Sequence, residues 1–237
     1  MIKKQEGTRE FMCGATVICS RWLVTAGHCF SHQSYYRETL DMDTSGYRIF
    51  LGRHFGNAYD HVTDGVLQLS GPNDIAKLIP HPNFKVAQRG VIKFDIGLIK
   101  LVRSVEFNTF IQPACMPMST DDIPLPNEAG WAVGWGITKG HGPDNTSLKQ
   151  VGIQINSDNS CYSRVANYPG AHNGLICGGG SYGHDTCIGD SGGPLLGLRK
   201  IGSKSYSSYK SHGDKAWTIF GITSVGGKFG LTISIIY

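Results

Sequence analysis

The chain has few charged residues, no long apolar run and no basic surface pattern. Only 17% of its 237 residues are Asp, Glu, Lys or Arg, and the formal net charge is +4. No basic stripe interleaved with aromatic residues is present, which argues against nucleic acid as a partner. No segment reaches the ~18 apolar residues that a membrane span needs. We therefore expect a globular protein that binds neither nucleic acid nor a membrane.

A targeting signal is also missing at the start of the chain. Residues 1–6, MIKKQE, lack the apolar stretch of a signal peptide. The seven cysteines nevertheless point to an oxidising compartment, where structural disulfides persist. We reconcile these observations by expecting that a secretory leader and other residues are missing, and that the protein is secreted and extracellular. Asn145 begins a glycosylation sequon that would suit a secreted surface loop.

Helical periodicity is almost absent as well. Short β-branched and apolar runs recur instead, at residues 15–18, 66–69, 96–102, 131–133 and 217–222. Gly, Pro, Asn and Asp separate these runs, which is typical of β-sandwiches and β-barrels. Residues 113–130 contain four prolines and little periodicity, so we interpret them as a linker. The prediction is a single domain over residues 1–237, with a first barrel at about 11–112 and a second at about 131–237.

The sequence GDSGGP at residues 189–194 has the composition expected around a nucleophile. A serine hydroxyl is a weak nucleophile, so it needs a base that takes its proton and backbone N–H donors that stabilise an oxyanion. Glycines on both sides of Ser191 let the backbone turn sharply and let a substrate carbonyl approach the N–H groups of Gly189 and Ser191. A glycine-rich turn with an incidental serine is the alternative interpretation.

Two further residues could complete such a site. His28 follows an apolar run and precedes a cysteine that could anchor it. Asp95 opens the run IGLIKL, where a buried carboxylate needs a hydrogen-bond donor. A histidine N–H would supply that donor, set the imidazole tautomer and stabilise the imidazolium that forms during the reaction. Each signal is weak alone, and the order His28, Asp95, Ser191 is what links them.

The segments TAGHC, DIGLIKL and GDSGGP, in this order, resemble the chymotrypsin/trypsin family of serine proteases. WAVGWG at residues 131–136 and GITS at 221–224 resemble further family landmarks, and the similarity runs from about residue 13 to 226. It implies an all-β fold of two perpendicular six-stranded antiparallel β-barrels, with a catalytic triad in the cleft between them. The family's C-terminal helix is expected to be missing, since residues 228–237 could supply a strand and no helix.

The resemblance implies a serine endopeptidase that forms an acyl-enzyme and uses neither a cofactor nor a metal. Asp185, six positions before the nucleophile, would lie at the base of the primary pocket. A carboxylate there favours protein or peptide substrates with Arg or Lys at the cleavage site, because a neutral side chain would leave the charge unpaired. Ser224 would support Asp95, and it is grouped with Gly226 and, after a shortened loop, Gly230 among the substrate-binding residues. The alternative for Asp185 is a solvated loop acid.

The resemblance also implies two disulfides. Cys13–Cys29 would close a loop beside the catalytic histidine, and Cys161–Cys177 would close one in the second barrel. Each loop of about 15 residues could contribute on the order of 3 kcal/mol.

The remaining cysteines have no such pairing. Cys187 lacks its usual family partner, and Cys19 matches no family cysteine. Cys115 resembles a cysteine that often tethers a pro-segment or light chain. Gly130 and Gly197 stand where another family disulfide often lies. An odd cysteine count in a secreted protein suggests a free thiol or an intermolecular bond.

Family members are made as zymogens, and cleavage frees an N-terminal ammonium that pairs with the acid before the nucleophile, here Asp190. Residues 1–12 do not resemble the family's new N-terminus. An unpaired buried carboxylate typically costs ~3–5 kcal/mol, so Asp190 should turn to other donors and distort the oxyanion hole. We therefore expect the 237-residue chain alone to be inactive or zymogen-like.

Three hypotheses remain from the sequence. The first is an endopeptidase, and the intact triad residues favour it. The second is a catalytically inactive homologue that acts as a binding or regulatory module, which the missing termini favour. The third is a truncated product that does not fold stably.

Overall fold

The structure is a computed structural model that describes residues 1–7, 9–31, 39–55, 66–86, 92–119, 122–137, 147–157, 175–179, 185–200, 214–226 and 231–235. Asn145, Cys161 and Gly230 lie outside these ranges. Within them, short β-strands account for most of the regular structure. The helical elements are two 3-10 turns and one four-residue α-helix, at Gly27–Phe30, Thr44–Gly46 and Gly71–Asp74. The predicted all-β class is confirmed.

The first half is built from short antiparallel strands. They are β1 (Ile2–Glu6), β2 (Arg9–Cys13), β3 (Thr16–Cys19), β4 (Trp22–Thr25), β5 (Tyr47–Leu51), β6 (Leu67–Ser70), β7 (Ile75–Pro80), β8 (Lys85–Val86), β9 (Ile92–Lys93) and β10 (Gly97–Leu101). Two four-stranded sheets have the orders β2-β1-β5-β6 and β3-β4-β10-β7, and β8 pairs with β9. The first barrel was expected from about residue 11, and β1 lies before that point.

The two sheets continue into one another at two corners. Only Gly14 and Ala15 separate β2 from β3, and only the helix Gly71–Asp74 separates β6 from β7. The eight strands therefore trace a ring of six stretches, in the order β1, β2/β3, β4, β10, β7/β6 and β5. Gly71 has a φ of 61°, a left-handed conformation that glycine adopts without strain. This ring agrees with the chymotrypsin-like barrel that the sequence resemblance implies.

The second half forms a closed barrel of six antiparallel strands. They are β11 (Ala129–Gly134), β12 (Lys149–Asn156), β13 (Leu175–Gly179), β14 (Pro194–Lys200), β15 (Lys215–Gly226) and β16 (Leu231–Ile235). Their order around the barrel is β11-β12-β13-β16-β15-β14. The last of them, β16, lies in the segment that was expected to supply a strand, and it pairs with β13 and β15.

Each barrel encloses its own apolar core. In β5 the side chains of Tyr47, Ile49 and Leu51 are buried, and those between them are partly exposed. The same alternation in β12 buries Ile153 and Ile155. This period of two follows from the opposite faces on which successive strand residues lie.

A third apolar cluster joins the two halves. Val24 and Ala26, at the end of β4, pack with Ile219 and Ile222 of β15, and all four are buried. This contact brings the residues that follow β4 close to the second half of β15, where Ser224 lies.

The ring of Phe220 lies against Gly197, one of the two positions where the family often has a disulfide. The register of β11 and β14 places Gly130 opposite Gly197. A Cβ on Gly197 would lie 1.8 Å from Cζ of Phe220, and one on Gly130 would lie 2.9 Å from Cδ1 of Leu195. The Arg199 guanidinium lies 4.2 Å from the centroid of the Phe220 ring. Packing and a cation–π contact therefore occupy this strand pair.

Candidate active site

His28 lies in the 3-10 turn Gly27–Phe30, directly after β4 ends at Thr25. The N–H of Ser31 donates to the carbonyl of His28 at 3.0 Å and closes the turn. The histidine is only 4% exposed. The end of the strand therefore carries the imidazole into the region between the two halves.

Asp95 lies in a tight turn that leads into β10. Phe94 has a φ of 50°, and its carbonyl accepts the N–H of Ile96 at 2.8 Å. Asp95 is fully buried. The backbone N–H of His28 donates to Oδ1 at 2.7 Å, and the His28 Nδ1 lies 2.6 Å from Oδ2. The hydroxyl of Ser224 donates to Oδ2 at 2.5 Å.

These contacts determine the protonation of the pair. Burial would raise the pKa of Asp95, but the electrostatic effect of the adjacent His28 and the hydrogen bonds from His28 and Ser224 outweigh it and lower that pKa from its ordinary value. An ionised carboxylate can only accept hydrogen bonds, so the Nδ1 of His28 carries a proton. In the neutral form of the imidazole, Nε2 therefore carries the lone pair that can accept a proton.

Ser191 lies in a turn shaped by two glycines. Gly189 and Gly192 have φ values of 101° and 78°, a region that strongly favours glycine. Ser191 is 7% exposed. Within the described part of the chain, no acceptor takes up the backbone N–H of Gly189 or of Ser191. Both donors therefore remain available for another oxygen.

The Ser191 turn is attached to both halves of the molecule. The carbonyl of Ser191 accepts the N–H of Gly14 at 2.7 Å and lies 3.8 Å from Sγ of Cys29, the residue after His28. The N–H of Gly192 donates to the carbonyl of Thr223, the residue before Ser224, at 2.7 Å. The Ser191 turn therefore lies next to Cys29 and Thr223, which are the chain neighbours of His28 and Ser224.

A disulfide lies beside this cluster. Cys13 and Cys29 are joined, and their sulfurs and a His28 ring nitrogen lie within 4.8 Å of one another. Because the two sulfurs are bonded to each other, they do not form a metal-binding set with the histidine. Cys177 is also disulfide-bonded, and its expected partner, Cys161, lies outside the described residues.

Three described cysteines carry free thiols. Cys19 and Cys187 are exposed, whereas Cys115 is half-buried and burial raises its pKa. The backbone of Cys115 is held by β15, since its N–H donates to the carbonyl of Trp217 and its carbonyl accepts the N–H of Ile219, both at 2.9 Å.

The carboxylate of Asp190 accepts hydrogen bonds from two backbone donors. Its Oδ1 accepts the N–H of Gly136 at 2.7 Å, and its Oδ2 accepts the N–H of Cys187 at 2.9 Å. Burial raises the pKa of Asp190, while these two donors and the charge of Lys149 partly oppose the rise. Asp190 therefore lies in a partly dry environment.

Asp185 lies near Asp190. It is half-buried, and its Oδ1 accepts the N–H of Thr186 at 2.8 Å. Asp185 and Asp190 line one cavity of about 180 Å³. Gly226 is the last residue of β15 and pairs with β16, so the structure describes its backbone position, while Gly230 lies outside the described residues.

Sequence reasoning missed Lys149, which lines the same cavity. Lys149 belongs to no recognisable motif. Its signal lies in the alternation of KQVGIQIN, where it shares a face with the buried residues Ile153 and Ile155.

Comparison with known proteins agrees with this fold. The chain belongs to the trypsin family, whose sequence profile matches residues 1–227. It is 33% identical to phenoloxidase-activating factor 3 of Holotrichia diomphalia over 209 residues, covering 86% of this chain and 56% of the relative. It is 36% identical to spermosin of Halocynthia roretzi, covering 78% and 43%, and 34% identical to transmembrane protease serine 11G of Rattus norvegicus, covering 78% and 39%.

The chain spans about half the length of the curated relatives it matches. Among its described residues, no helix has the length and apolar character required to cross a membrane.

Replacing Ser224 tests how Asp95 is held. Ser224→Ala removes one donor to a buried carboxylate, so we expect it to lower the free energy of unfolding by about 1–3 kcal/mol at neutral pH. A lowered folded-state pKa stabilises the protein above the unfolded pKa of about 4, and this stability is lost as pH falls through the folded-state pKa. The deficit of the variant should therefore shrink in acid.

Urea unfolding at a series of pH values measures this deficit. Ser45→Ala is the matched control, because Ser45 donates to Asp43 on the exposed surface. Its effect should be small at every pH. A Ser224→Ala deficit that is constant from neutral pH into acid would show that the hydroxyl does not act on the ionised carboxylate.

Proposed function

We propose that this chain is the peptidase domain of a serine endopeptidase that cleaves after Arg or Lys. The observation that carries the proposal is the buried contact between Nδ1 of His28 and Oδ2 of Asp95, at 2.6 Å, beside the Ser191 turn. A carboxylate at such a depth is expensive to bury unless hydrogen-bond donors match it closely. Perturbed, buried titratable groups of this kind are typical of catalytic sites.

In the proposed reaction, Ser191 Oγ attacks the scissile carbonyl while Nε2 of His28 takes its proton. Asp95 holds the imidazole through Nδ1 and stabilises the imidazolium. His28 then gives the proton to the leaving amine, and an acyl-enzyme ester remains on Ser191. Water, activated by His28, hydrolyses this ester and restores the serine. No cofactor takes part.

The oxyanion that forms in each step needs donors. We assign this role to the N–H groups of Gly189 and Ser191, because neither has an acceptor within the described residues. The φ of 101° at Gly189 supports the assignment, since it is a conformation that few other residues adopt. Removing one such donor typically lowers the rate ~10²–10³-fold.

Specificity is assigned to Asp185. Its half-buried carboxylate would attract the cation of an Arg or Lys side chain more strongly than it would an apolar side chain. Ser224, Gly226 and Gly230 are proposed to border the bound substrate. The substrates are proteins or peptides with Arg or Lys at the cleavage site.

The proposed location is extracellular, with the protein made as a zymogen. The Cys13–Cys29 disulfide supports an oxidising compartment. Cys115 carries a free thiol on a segment held firmly by β15, so it is a suitable tether for a pro-segment or light chain. A non-reducing gel of the secreted precursor, with Cys115→Ser beside it, tests both points. An intracellular precursor with no Cys115-dependent link would contradict them.

A fluorophosphonate probe tests the triad, since it reacts only with an activated serine. We expect labelling at Ser191 and none in Ser191→Ala. His28→Ala should lower the labelling rate by several orders of magnitude, because the base is lost.

The matched control is Ser104→Ala, which removes an exposed serine and should be labelled like the wild type. If Ser191 is not labelled in the folded protein, with or without proteolytic processing, the chain is a non-catalytic homologue that acts as a binding or regulatory module. That result would overturn the proposed function.

Replacing Asp185 tests the specificity. The wild type should have a much higher kcat/KM for Arg and Lys amides than for Phe amides, and Asp185→Ser should reduce this preference at least ~10²-fold. Fluorophosphonate labelling of Ser191 should persist in the variant. Asp214→Ser, which removes an exposed acid, is the control and should keep the preference. A wild type that prefers Phe or Ala would refute the pocket assignment and leave the triad untouched.

A further inference from the structure

Asp190 needs a compensating charge, and its backbone contacts do not supply one. The N–H groups of Gly136 and Cys187 satisfy its oxygens, but both donors are neutral. The backbone of Asp190 also belongs to the Ser191 turn, since its N–H donates to the carbonyl of Cys187 at 3.0 Å and its carbonyl accepts the N–H of Gly193 at 2.9 Å. The orientation of Asp190 is therefore coupled to that of Gly189.

The register between β11 and β12 places the Lys149 side chain on the same side as this carboxylate. Lys149 of β12 pairs directly with Gly134 of β11. A Cβ on Gly134 would lie 2.0 Å from Oδ1 of Asp190. The carboxylate of Asp190 therefore lies against the face of β11 from which a side chain at position 134 would project. Residues directly opposite each other in an antiparallel pair project from the same face. The side chain of Lys149 therefore leaves β12 on the side where Asp190 lies.

Burial and the cavity agree with this direction. Lys149 is half-buried, whereas the next residue, Gln150, is exposed. Lys149, Asp185 and Asp190 line the cavity of about 180 Å³, and Lys149 is the cationic residue among its described lining. The charged groups that face Asp190 across the cavity are thus Lys149 from β12 and Asp185 from the segment before the nucleophile.

We propose that Lys149 is a positioning residue that supplies an internal counter-charge for Asp190 and so keeps the N–H groups of Gly189 and Ser191 directed at the substrate. This inference rests on the proposed function. Lys149 is then a cation within the chain that compensates the charge of Asp190, whereas the sequence resemblance led us to expect no such cation in this chain. The Ser191 site then retains activity when no other cation reaches Asp190.

The proposal predicts a specific effect of Lys149→Met on the unprocessed chain. The substitution keeps most of the length of the side chain and removes its charge. We expect the rate of fluorophosphonate labelling at Ser191 to fall about tenfold. This loss is larger than the effect of removing a weak ion pair and smaller than the effect of removing an oxyanion donor. Without Lys149, Asp190 takes up a proton at higher pH, so the ratio of the wild-type labelling rate to that of Lys149→Met should grow as the pH is lowered from neutrality.

Two matched variants separate charge from structure. Lys149→Arg keeps the charge and should stay within about threefold of the wild-type rate, with an unmoved pH profile. Lys77→Met removes one exposed strand lysine of the first half and should behave as the wild type. Thermal unfolding of each variant shows whether it is folded.

The outcomes are distinguishable. If Lys149→Met is labelled as fast as Lys77→Met with the same pH profile, the inference is wrong and the proposed function stands. If Lys149→Arg is folded but loses as much as Lys149→Met, the charge is not what positions the turn and the inference is again wrong. If the wild type is not labelled in any form, the proposed function itself fails.

Discussion

The carboxylate of Asp95 is the group on which the site depends, because it is fully buried and its donors come from both halves of the molecule. His28 reaches it from the turn after β4, and Ser224 reaches it from β15. A buried charge that loses a donor costs far more than a surface contact. Three distant parts of the chain must therefore meet at one point whenever the protein folds.

The Ser191 turn meets the first half through backbone rather than side chains. A Cβ on Gly14 would lie 2.6 Å from Cα of Gly193, and one on Gly192 would lie 2.3 Å from Oγ1 of Thr25. Such close approach fixes where Ser191 lies relative to the histidine turn. On its other side, the turn is joined to Asp190, a second carboxylate whose environment is controlled by β11 and β12. The proposed nucleophile thus lies between a fully buried acid, Asp95, and a half-buried one, Asp190.

Local motifs account for most of what could be predicted from the sequence. The all-β class and the strand near residues 231–235 follow from apolar runs with turn residues between them, and the proposed triad of His28, Asp95 and Ser191 follows from three short segments. The corners that carry β2 into β3 and β6 into β7 could not be predicted, since they depend on how two sheets pack. The position of Phe220 over Gly197, and that of Lys149 toward Asp190, require the strand register, which no local pattern specifies.

The most direct test of this account is nitrogen-detected NMR of the His28 imidazole at neutral pH. The account predicts that Nδ1 carries the proton, hydrogen-bonded to an ionised Asp95, and that Nε2 carries none. Ser224→Ala should weaken this hydrogen bond without moving the proton to Nε2. A neutral His28 protonated on Nε2 would contradict the account, since Nδ1 could not donate to Asp95 and Nε2 could not accept the proton of Ser191.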